Sequence, residues 1–245
     1  MRKHLTRGLI AAALLSASST AYAQQAPDHR WSVDFGIGWD RTISGNINSG
    51  AIGTLNGQAA VILRNKYDDV YGTGLHVRFG AGYLLQEESE LRVAFTIQSL
   101  DADLTRMGDL GVSNLYAQYD DYQAFALDFG YRRYLPFKHT IRGYGEALIG
   151  VAVIDETHVV LAAPSVNFIG TSTDFYDKTA AFTLSGNVGV AFAVRENTDA
   201  FAQFGLRYTS GMSAVDDLNG TGLDTINDHS ARWAVPLSIG VRLRF

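Results

Sequence analysis

Three consecutive residues near the end of the chain carry the groups that a serine hydrolase uses. Asp228, His229 and Ser230 supply a carboxylate, an imidazole and a hydroxyl, and nucleophilic catalysis needs these groups within hydrogen-bond reach of one another. Neighbouring side chains of an extended chain point to opposite faces, so His229 and Ser230 are expected to diverge. The pattern therefore favours polar loop residues, and a hydrolytic enzyme remains the less favoured alternative.

Two other groups of residues could bind a metal ion. The segment 216–220 reads Asp-Asp-Leu-Asn-Gly and Asp224 follows it, but the bidentate Glu of a calcium loop is missing. Whether this acidic loop binds divalent cations, for example by bridging to lipopolysaccharide, stays open. His76 has no second His at ligand spacing, which favours a place in a polar network. We predict no cofactor and no metal site.

The elements that must position these groups are β-strands, because apolar residues alternate with small or polar ones along most of the chain. A strand directs successive side chains to opposite faces, so each segment has one apolar face and one rich in Gly, Ala and Ser. The segments are 31–39, 71–83, 91–98, 124–132, 141–153, 182–194, 202–209 and 233–245. The sequence predicts an all-β protein, a closed antiparallel eight-stranded transmembrane β-barrel.

The connections between these segments alternate in length. Three are short (84–90, 134–139 and 195–199) and four are long (41–70, 101–121, 155–178 and 210–231). Outer-membrane barrels combine short periplasmic turns with long extracellular loops, and this places both termini in the periplasm. Alternation alone would also fit a soluble barrel. Strands near the roughly 9–11 residues of a tilted transmembrane strand, with aromatic residues near their ends, favour the membrane.

The N-terminus has the layout of a secretory signal. Arg2, Lys3 and Arg7 precede an apolar run over 8–15, and Ala-Tyr-Ala at 21–23 forms a cleavage site. We therefore divide the chain into a signal peptide (1–23) and a barrel domain (24–245). The barrel domain keeps 17 basic and 25 acidic residues, a net charge of −8, and the chain has no cysteine. This charge argues against a nucleic-acid partner.

Charged residues within the strands are expected to face the lumen, because an Arg or Lys at the lipid-facing midplane costs roughly 2–4 kcal/mol. An eight-stranded barrel has room for side chains and little more. The sequence therefore predicts a lumen ion-pair cluster centred on Arg78, with Arg207 as a further candidate. Its members are Asp34, Arg78, Asp128 and Glu146. Such a cluster would plug the lumen and favour a barrel that is not a channel.

Five further arginines lie closer to the predicted periplasmic ends of the strands. We expect them to form a basic periplasmic rim. They are Arg92, Arg132, Arg142, Arg242 and Arg244.

The last strand alternates without interruption from Trp233 to Phe245. Together with the Trp31–Trp39 strand, the glycine-rich Tyr71–Tyr83 strand and the ending Ile-Gly-Val-Arg-Leu-Arg-Phe, it resembles the small outer-membrane barrel family of the OmpA transmembrane domain, OmpW and Opa-type proteins. This resemblance covers 24–245 and implies that Phe245 is an assembly signal read by the barrel-assembly machinery. It is specific for architecture and poor for function, because such folds host many activities.

The sequence thus predicts a bacterial outer-membrane protein without enzymatic activity. A structural or surface-interaction role through four extracellular loops leads, and a narrow channel for small solutes is the alternative. A lipid A-modifying enzyme, an activity found among barrels of this class, is the less favoured third hypothesis. Expected partners are outer-membrane lipid, lipopolysaccharide, the assembly machinery and an unidentified extracellular ligand, and the protein is expected to be a monomer.

Overall fold

The computed structural model describes residues 30–138, 140–215, 221–227 and 230–245. The predicted signal peptide, the acidic segment 216–220 and the pair Asp228–His229 lie outside these described residues.

Eighteen strands and one short helix make up the described chain. In order they are β1 (Trp31–Ser44), β2 (Asn46–Asn48), β3 (Ala51–Leu55), β4 (Gln58–Ile62), β5 (Asn65–Lys66), α1 (Tyr67–Val70), β6 (Gly74–Gln86), β7 (Ser89–Leu100), β8 (Thr105–Leu110), β9 (Ser113–Tyr119), β10 (Tyr122–Lys138), β11 (Ile141–Ile154), β12 (Thr157–Ala163), β13 (Phe168–Ile169), β14 (Thr173–Asp177), β15 (Thr179–Arg195), β16 (Thr198–Thr209), β17 (Ser213–Ala214) and β18 (Arg232–Arg244). A single 3₁₀ turn at Pro164–Val166 follows β12.

Eight of these strands close into an antiparallel barrel in the order β1-β18-β16-β15-β11-β10-β7-β6, with β6 paired to β1. The predicted eight-stranded antiparallel barrel is confirmed. The predicted second strand begins later than expected, at Gly74, because Tyr71 leaves the ladder and packs in the core beyond the barrel.

The two faces of the barrel wall differ as the alternation predicts. Along β1, exposed and buried positions alternate from Trp31 to Thr42, with the apolar side chains outside. In the pairing of β10 with β11, Arg132 lies opposite Glu146, and both side chains are buried. The chain termini of the barrel meet where Trp31 and Phe245 exchange two backbone hydrogen bonds of 2.9 Å. We call this the terminal end, and the other the loop end.

The four long connections at the loop end are not irregular. Their strands form a second antiparallel sheet in the order β17-β14-β12-β9-β8-β4-β3. The fourth connection also reaches β3, where the Thr54 N–H donates to the Thr221 carbonyl at 2.8 Å. A large apolar core fills the space between this sheet and the barrel mouth. We call the sheet and this core the cap.

No helix in the described part of the chain has the length and apolar character needed to cross a membrane.

Candidate functional site

The inner wall of the barrel carries a balanced set of buried charges. Six arginines and six carboxylates of the described residues are each less than a tenth exposed. They are Arg78, Arg92, Arg132, Arg207, Arg232 and Arg242 with Asp34, Asp40, Glu90, Asp128, Glu146 and Asp199. A buried charge without a partner costs several kcal/mol, so equal numbers allow the lumen to be filled with charged side chains.

Glu146 is the centre of the charged lumen. Arg78 Nη2 donates to Glu146 Oε1 at 2.7 Å, and Arg132 donates to Oε2 through Nε at 3.0 Å and Nη2 at 2.6 Å. Arg92 Nε lies 3.4 Å from the same Oε2. Asn187 Nδ2 completes the shell with a bond of 3.0 Å to Oε1. Three guanidinium groups therefore surround one carboxylate, and the predicted neighbours Arg78 and Glu146 do lie together.

A second carboxylate, Glu90, connects this centre to the terminal end of the lumen. It accepts hydrogen bonds from the hydroxyls of Tyr134, at 2.7 Å, and Ser32. Arg92 and Arg242 approach Glu90 at 3.5 and 3.8 Å. We use the name ion-pair network for the connected groups Asp34, Arg78, Glu90, Arg92, Arg132, Glu146 and Arg242.

Two members of the predicted cluster have other partners than Arg78. Asp34 pairs with Arg92 and lies 3.7 Å from Arg242. Asp128 accepts from Thr183 Oγ1 at 2.6 Å and from Arg207 at 3.3 Å. Asp34 still belongs to the same ion-pair network as Arg78 and Glu146, because Arg92 contacts both carboxylates. The correction is that Glu146, and not Arg78, is the centre, and that Asp128 pairs with Arg207. Barrel strands are tilted and staggered, so equal counts from the strand ends do not give equal heights.

The five arginines of the predicted periplasmic rim fall into two groups, one buried in the lumen and one partly exposed. Arg92, Arg132 and Arg242 are at most 2% exposed and belong to the ion-pair network, so for these three the rim prediction is wrong. The side chains of Arg142 and Arg244 are partly exposed and converge on the buried Asp199 at 2.8 and 3.1 Å. Long arginine side chains can reach several ångströms along the lumen, which explains why position in the strand did not decide depth.

Sequence reasoning missed Glu90 because it assigned this residue to a turn. The structure begins β7 at Ser89, and Glu90 continues the inward-facing series of Arg92, Ala94 and Thr96. The alternation of β7, extended two residues back from Arg92, would have predicted that Glu90 faces the lumen.

An aspartate, a histidine and a serine meet nearer the loop end, on three neighbouring strands. His76 Nε2 lies 2.8 Å from Ser238 Oγ, and His76 Nδ1 lies 3.2 Å from Asp40 Oδ2. Gly38 stands between His76 and Ser238 in the register. A Cβ on Gly38 would lie 2.8 Å from His76 Nε2, so the absence of a side chain leaves space for this contact.

These three groups have the order of a nucleophilic triad, but their surroundings suit a structural hydrogen-bond chain. Ser238 is 2% exposed. A lumen cavity lined by Thr96 and Gln98 measures ≈ 10 Å³, which holds about one water at most. Gln98 donates to Asp40 at 2.7 Å, and Arg232 donates to Gln98 at 2.9 Å. The chain of contacts continues into the cap.

Of the sequence candidates for catalysis, Ser230 alone lies within the described residues, since Asp228 and His229 do not. Its hydroxyl accepts the Met212 N–H at 2.6 Å, and its carbonyl accepts from Tyr67 Oη at 2.9 Å. Ser230 therefore joins two segments of the cap.

The cap closes the barrel mouth with aromatic side chains. Tyr67, Tyr71 and Tyr122 pack with ring centroids 6.0 to 6.5 Å apart, and the Arg232 guanidinium lies 4.4 Å from the centre of the Tyr122 ring. Tyr71 Oη donates to the Asp120 carbonyl at 3.1 Å. Burial raises the pKa of Tyr67 and Tyr71 well above the ordinary value, which keeps both hydroxyls neutral.

A polar depression of ≈ 520 Å³ lies on the outside of the cap. His158 Nδ1 is 2.6 Å from Asp120 Oδ2, and Nε2 is 3.2 Å from Asp174 Oδ1. Lys178 pairs with Asp155 at 2.9 Å. The hydrogen bond to Asp120 raises the pKa of His158. Within the described ranges, no three acidic or histidine side chains are grouped to hold a metal ion.

No protein-family model and no curated protein sequence matches this chain. Many solved structures are similar to it, among them the following three. Neisserial surface protein A is 14% identical, with 88% of this chain and 97% of that chain covered and a TM-score of 0.43. Outer membrane protein OprG from Pseudomonas aeruginosa is 11% identical, covering 89% and 96%, with a TM-score of 0.45. A major outer membrane protein from Thermus thermophilus is 14% identical, covering 87% and 99%, with a TM-score of 0.45.

Proposed function

We propose that this protein is an integral outer-membrane barrel with a sealed lumen, which presents its cap at the cell surface as a structural or interaction module. The observation that carries the proposal is the contrast between the two faces of the wall. The outside is a continuous apolar surface, whereas the inside is filled with paired charges.

The outer face supports residence in a membrane. The outward-facing apolar side chains are about half exposed, at 46 to 49% for Phe35, Ile37, Leu127 and Ile239. In water they would form an apolar patch larger than soluble monomers usually expose. A closed barrel satisfies its backbone hydrogen bonds internally and can therefore cross a bilayer. Short turns at the terminal end and long connections at the loop end favour a periplasmic terminal end and an extracellular cap.

The filled lumen supports a barrel that does not conduct. The ion-pair network crosses the terminal half, the Asp40–His76–Ser238 chain occupies the loop half, and the tyrosines of the cap lie above them. A conducting pore would need a continuous path of polar groups open to water. Here the charged side chains pair with one another and fill the lumen. The assembly role of Phe245, the monomeric state and the absence of enzymatic activity stay predictions.

Planar-bilayer recording tests the sealed lumen. Purified protein should give no steady conductance, while brominated lipid should quench the fluorescence of the outward-facing Trp31 and Trp39 and so prove insertion. Steady conductance from inserted protein would support the narrow-channel alternative. Protein that is absent from outer-membrane fractions of expressing cells would contradict the proposed location.

A further inference from the structure

An apolar groove runs along the outer face of the barrel wall, on the terminal half of β11. It has a volume of ≈ 780 Å³, within the roughly 300–1,000 Å³ of ligand pockets. Its floor is formed where outward positions carry little or no side chain: Gly143, Gly145 and Ala147 on β11, and Gly186 on β15.

The strand register explains the shape of the groove. Tyr131, Arg133 and Leu135 of β10 stand opposite Ala147, Gly145 and Gly143 in turn, and form one wall. On the other side, Val188 lies opposite Gly145 and Phe204 lies opposite Val188. Large side chains therefore flank a strip made of glycine and alanine residues.

The strip is open space on the barrel surface. A Cβ added to Gly145 or Gly186 would meet no non-adjacent atom of the described residues within 4 Å. Neither glycine has a positive φ, so the backbone does not require glycine there. Neither glycine is explained by backbone conformation or by close packing inside the barrel. Small residues on a membrane-facing surface allow another molecule to approach the backbone closely.

Among the described residues that line the groove, Arg133 is the one with a cationic side chain. This side chain is 21% exposed, and its Nη2 lies 4.0 Å from Glu88 Oε2. The Tyr134 N–H donates to the Glu88 carbonyl at 2.7 Å, which places this part of β10 level with the short turn between β6 and β7. A lipid-facing arginine at the level of a turn is positioned at the membrane interface, where phosphate groups lie.

We propose that this groove binds one anionic phospholipid, with an acyl chain along Gly145, Ala147 and Gly186 and the phosphate at the Arg133 guanidinium. The inference rests on the proposed membrane location. An apolar trough with a cation at the interface matches the two parts of such a lipid, because arginine pairs with phosphate through several N–H donors.

Two kinds of variant separate the parts of the proposed site. Gly145→Phe and Gly186→Phe fill the trough, and Arg133→Gln removes the charge. Ala180→Phe is the matched control for bulk, because Ala180 is an exposed outward position at the loop end of β15. Arg195→Gln is the control for charge at the terminal end, outside the groove lining.

The experiment is native mass spectrometry of each variant, released from detergent micelles that contain palmitoyl-oleoyl-phosphatidylglycerol, with dioleoylglycerol as the probe without phosphate. Heat-modifiable migration in gels confirms that each variant is folded. We expect one phosphatidylglycerol on the wild type, about tenfold weaker retention in either glycine variant, and several-fold weaker retention in Arg133→Gln. The control variants should retain the lipid as the wild type does, and dioleoylglycerol should bind weakly throughout.

Three outcomes would overturn the inference. Equal losses in Ala180→Phe and Gly186→Phe would indicate general lipid contact without a site. A wild-type dimer that becomes a monomer on Gly186→Phe would assign the groove to a second copy of the chain. Equal retention of dioleoylglycerol and phosphatidylglycerol would exclude the role of Arg133. Each result applies to protein that is inserted and folded, so it is distinct from failure of the proposed membrane location.

Discussion

At the scale of single residues, four of the buried lumen carboxylates (Asp34, Glu90, Glu146 and Asp199) each pair with more than one arginine. Glu146 is bonded by Arg78, Arg132 and Asn187, whereas Arg78 has Glu146 as its ion-pair partner among the described residues. The acidic group is thus the shared element, because one carboxylate has two oxygens that can each accept several hydrogen bonds. Removal of the shared group leaves more buried charge unpaired than removal of any single arginine.

We therefore predict that Glu146→Ala destabilises the barrel by about 3–5 kcal/mol, the range for breaking a buried ion pair by removing one partner. Arg78→Ala should cost less, since Arg132 still neutralises Glu146. The free energy of unfolding in urea, followed by tryptophan fluorescence in lipid vesicles, measures both. Arg142→Ala is the control, because the Arg142 side chain is partly exposed and Arg244 would still pair with the buried Asp199, so we expect a cost below about 1 kcal/mol. If Glu146→Ala and Arg142→Ala had equal effects, the central role of Glu146 would be excluded.

At the scale of elements, the cap depends on contacts between strands that are far apart in the sequence. His158 on β12 contacts Asp120, which follows β9, and Asp174 on β14. The imidazolium form carries the charge that both carboxylates favour, so the pKa of His158 is raised in the folded cap above its ordinary value near 6.5. A group with a raised folded-state pKa stabilises most when it is protonated in both states.

The raised pKa of His158 in the folded state determines how the stability of the cap depends on pH. The contribution of His158 should be complete below about pH 6.5, the ordinary histidine pKa, and should be lost as the pH rises through the raised value. Hydrogen exchange of β12 and β14, corrected for intrinsic rates, should be roughly two- to fivefold slower at low pH than at high pH, as for a partly exposed ion pair. His158→Gln should abolish this difference. Identical pH profiles in the two proteins would show that the histidine does not contribute.

The barrel strands could be predicted from sequence and the cap strands could not, for a physical reason. A barrel strand such as β18 alternates over most of its thirteen residues because one face is exposed on the outside of the barrel and the other faces the lumen. The cap strands have two to seven residues, and their pairs, such as Tyr119 with Val159, join different connections. Alternation also predicted that Arg78 and Glu146 face inward, but it carries no information on strand stagger, which decides the actual ion-pair partners.

At the scale of the whole molecule, the two ends of the barrel differ in what they can present. The terminal end carries short turns and partly exposed arginines, whereas the loop end carries an ordered sheet with its own core. Hairpin tips project from that sheet, and Val112, between β8 and β9, is fully exposed. Exposed hairpin tips on an ordered sheet suit the surface role proposed above, since binding residues are commonly carried on loops that a scaffold positions.

Orientation in the membrane can be tested at these two ends with matched insertions. An epitope inserted after Val112 should fold, because exposed hairpin tips tolerate insertion, and antibody should label intact cells. The same epitope inserted after Glu87, in the short turn between β6 and β7, should be labelled only after the outer membrane is permeabilised. Gel migration with and without heating verifies that both proteins are folded. The reverse labelling pattern would place the cap in the periplasm, which would contradict a surface role even if the lumen is sealed.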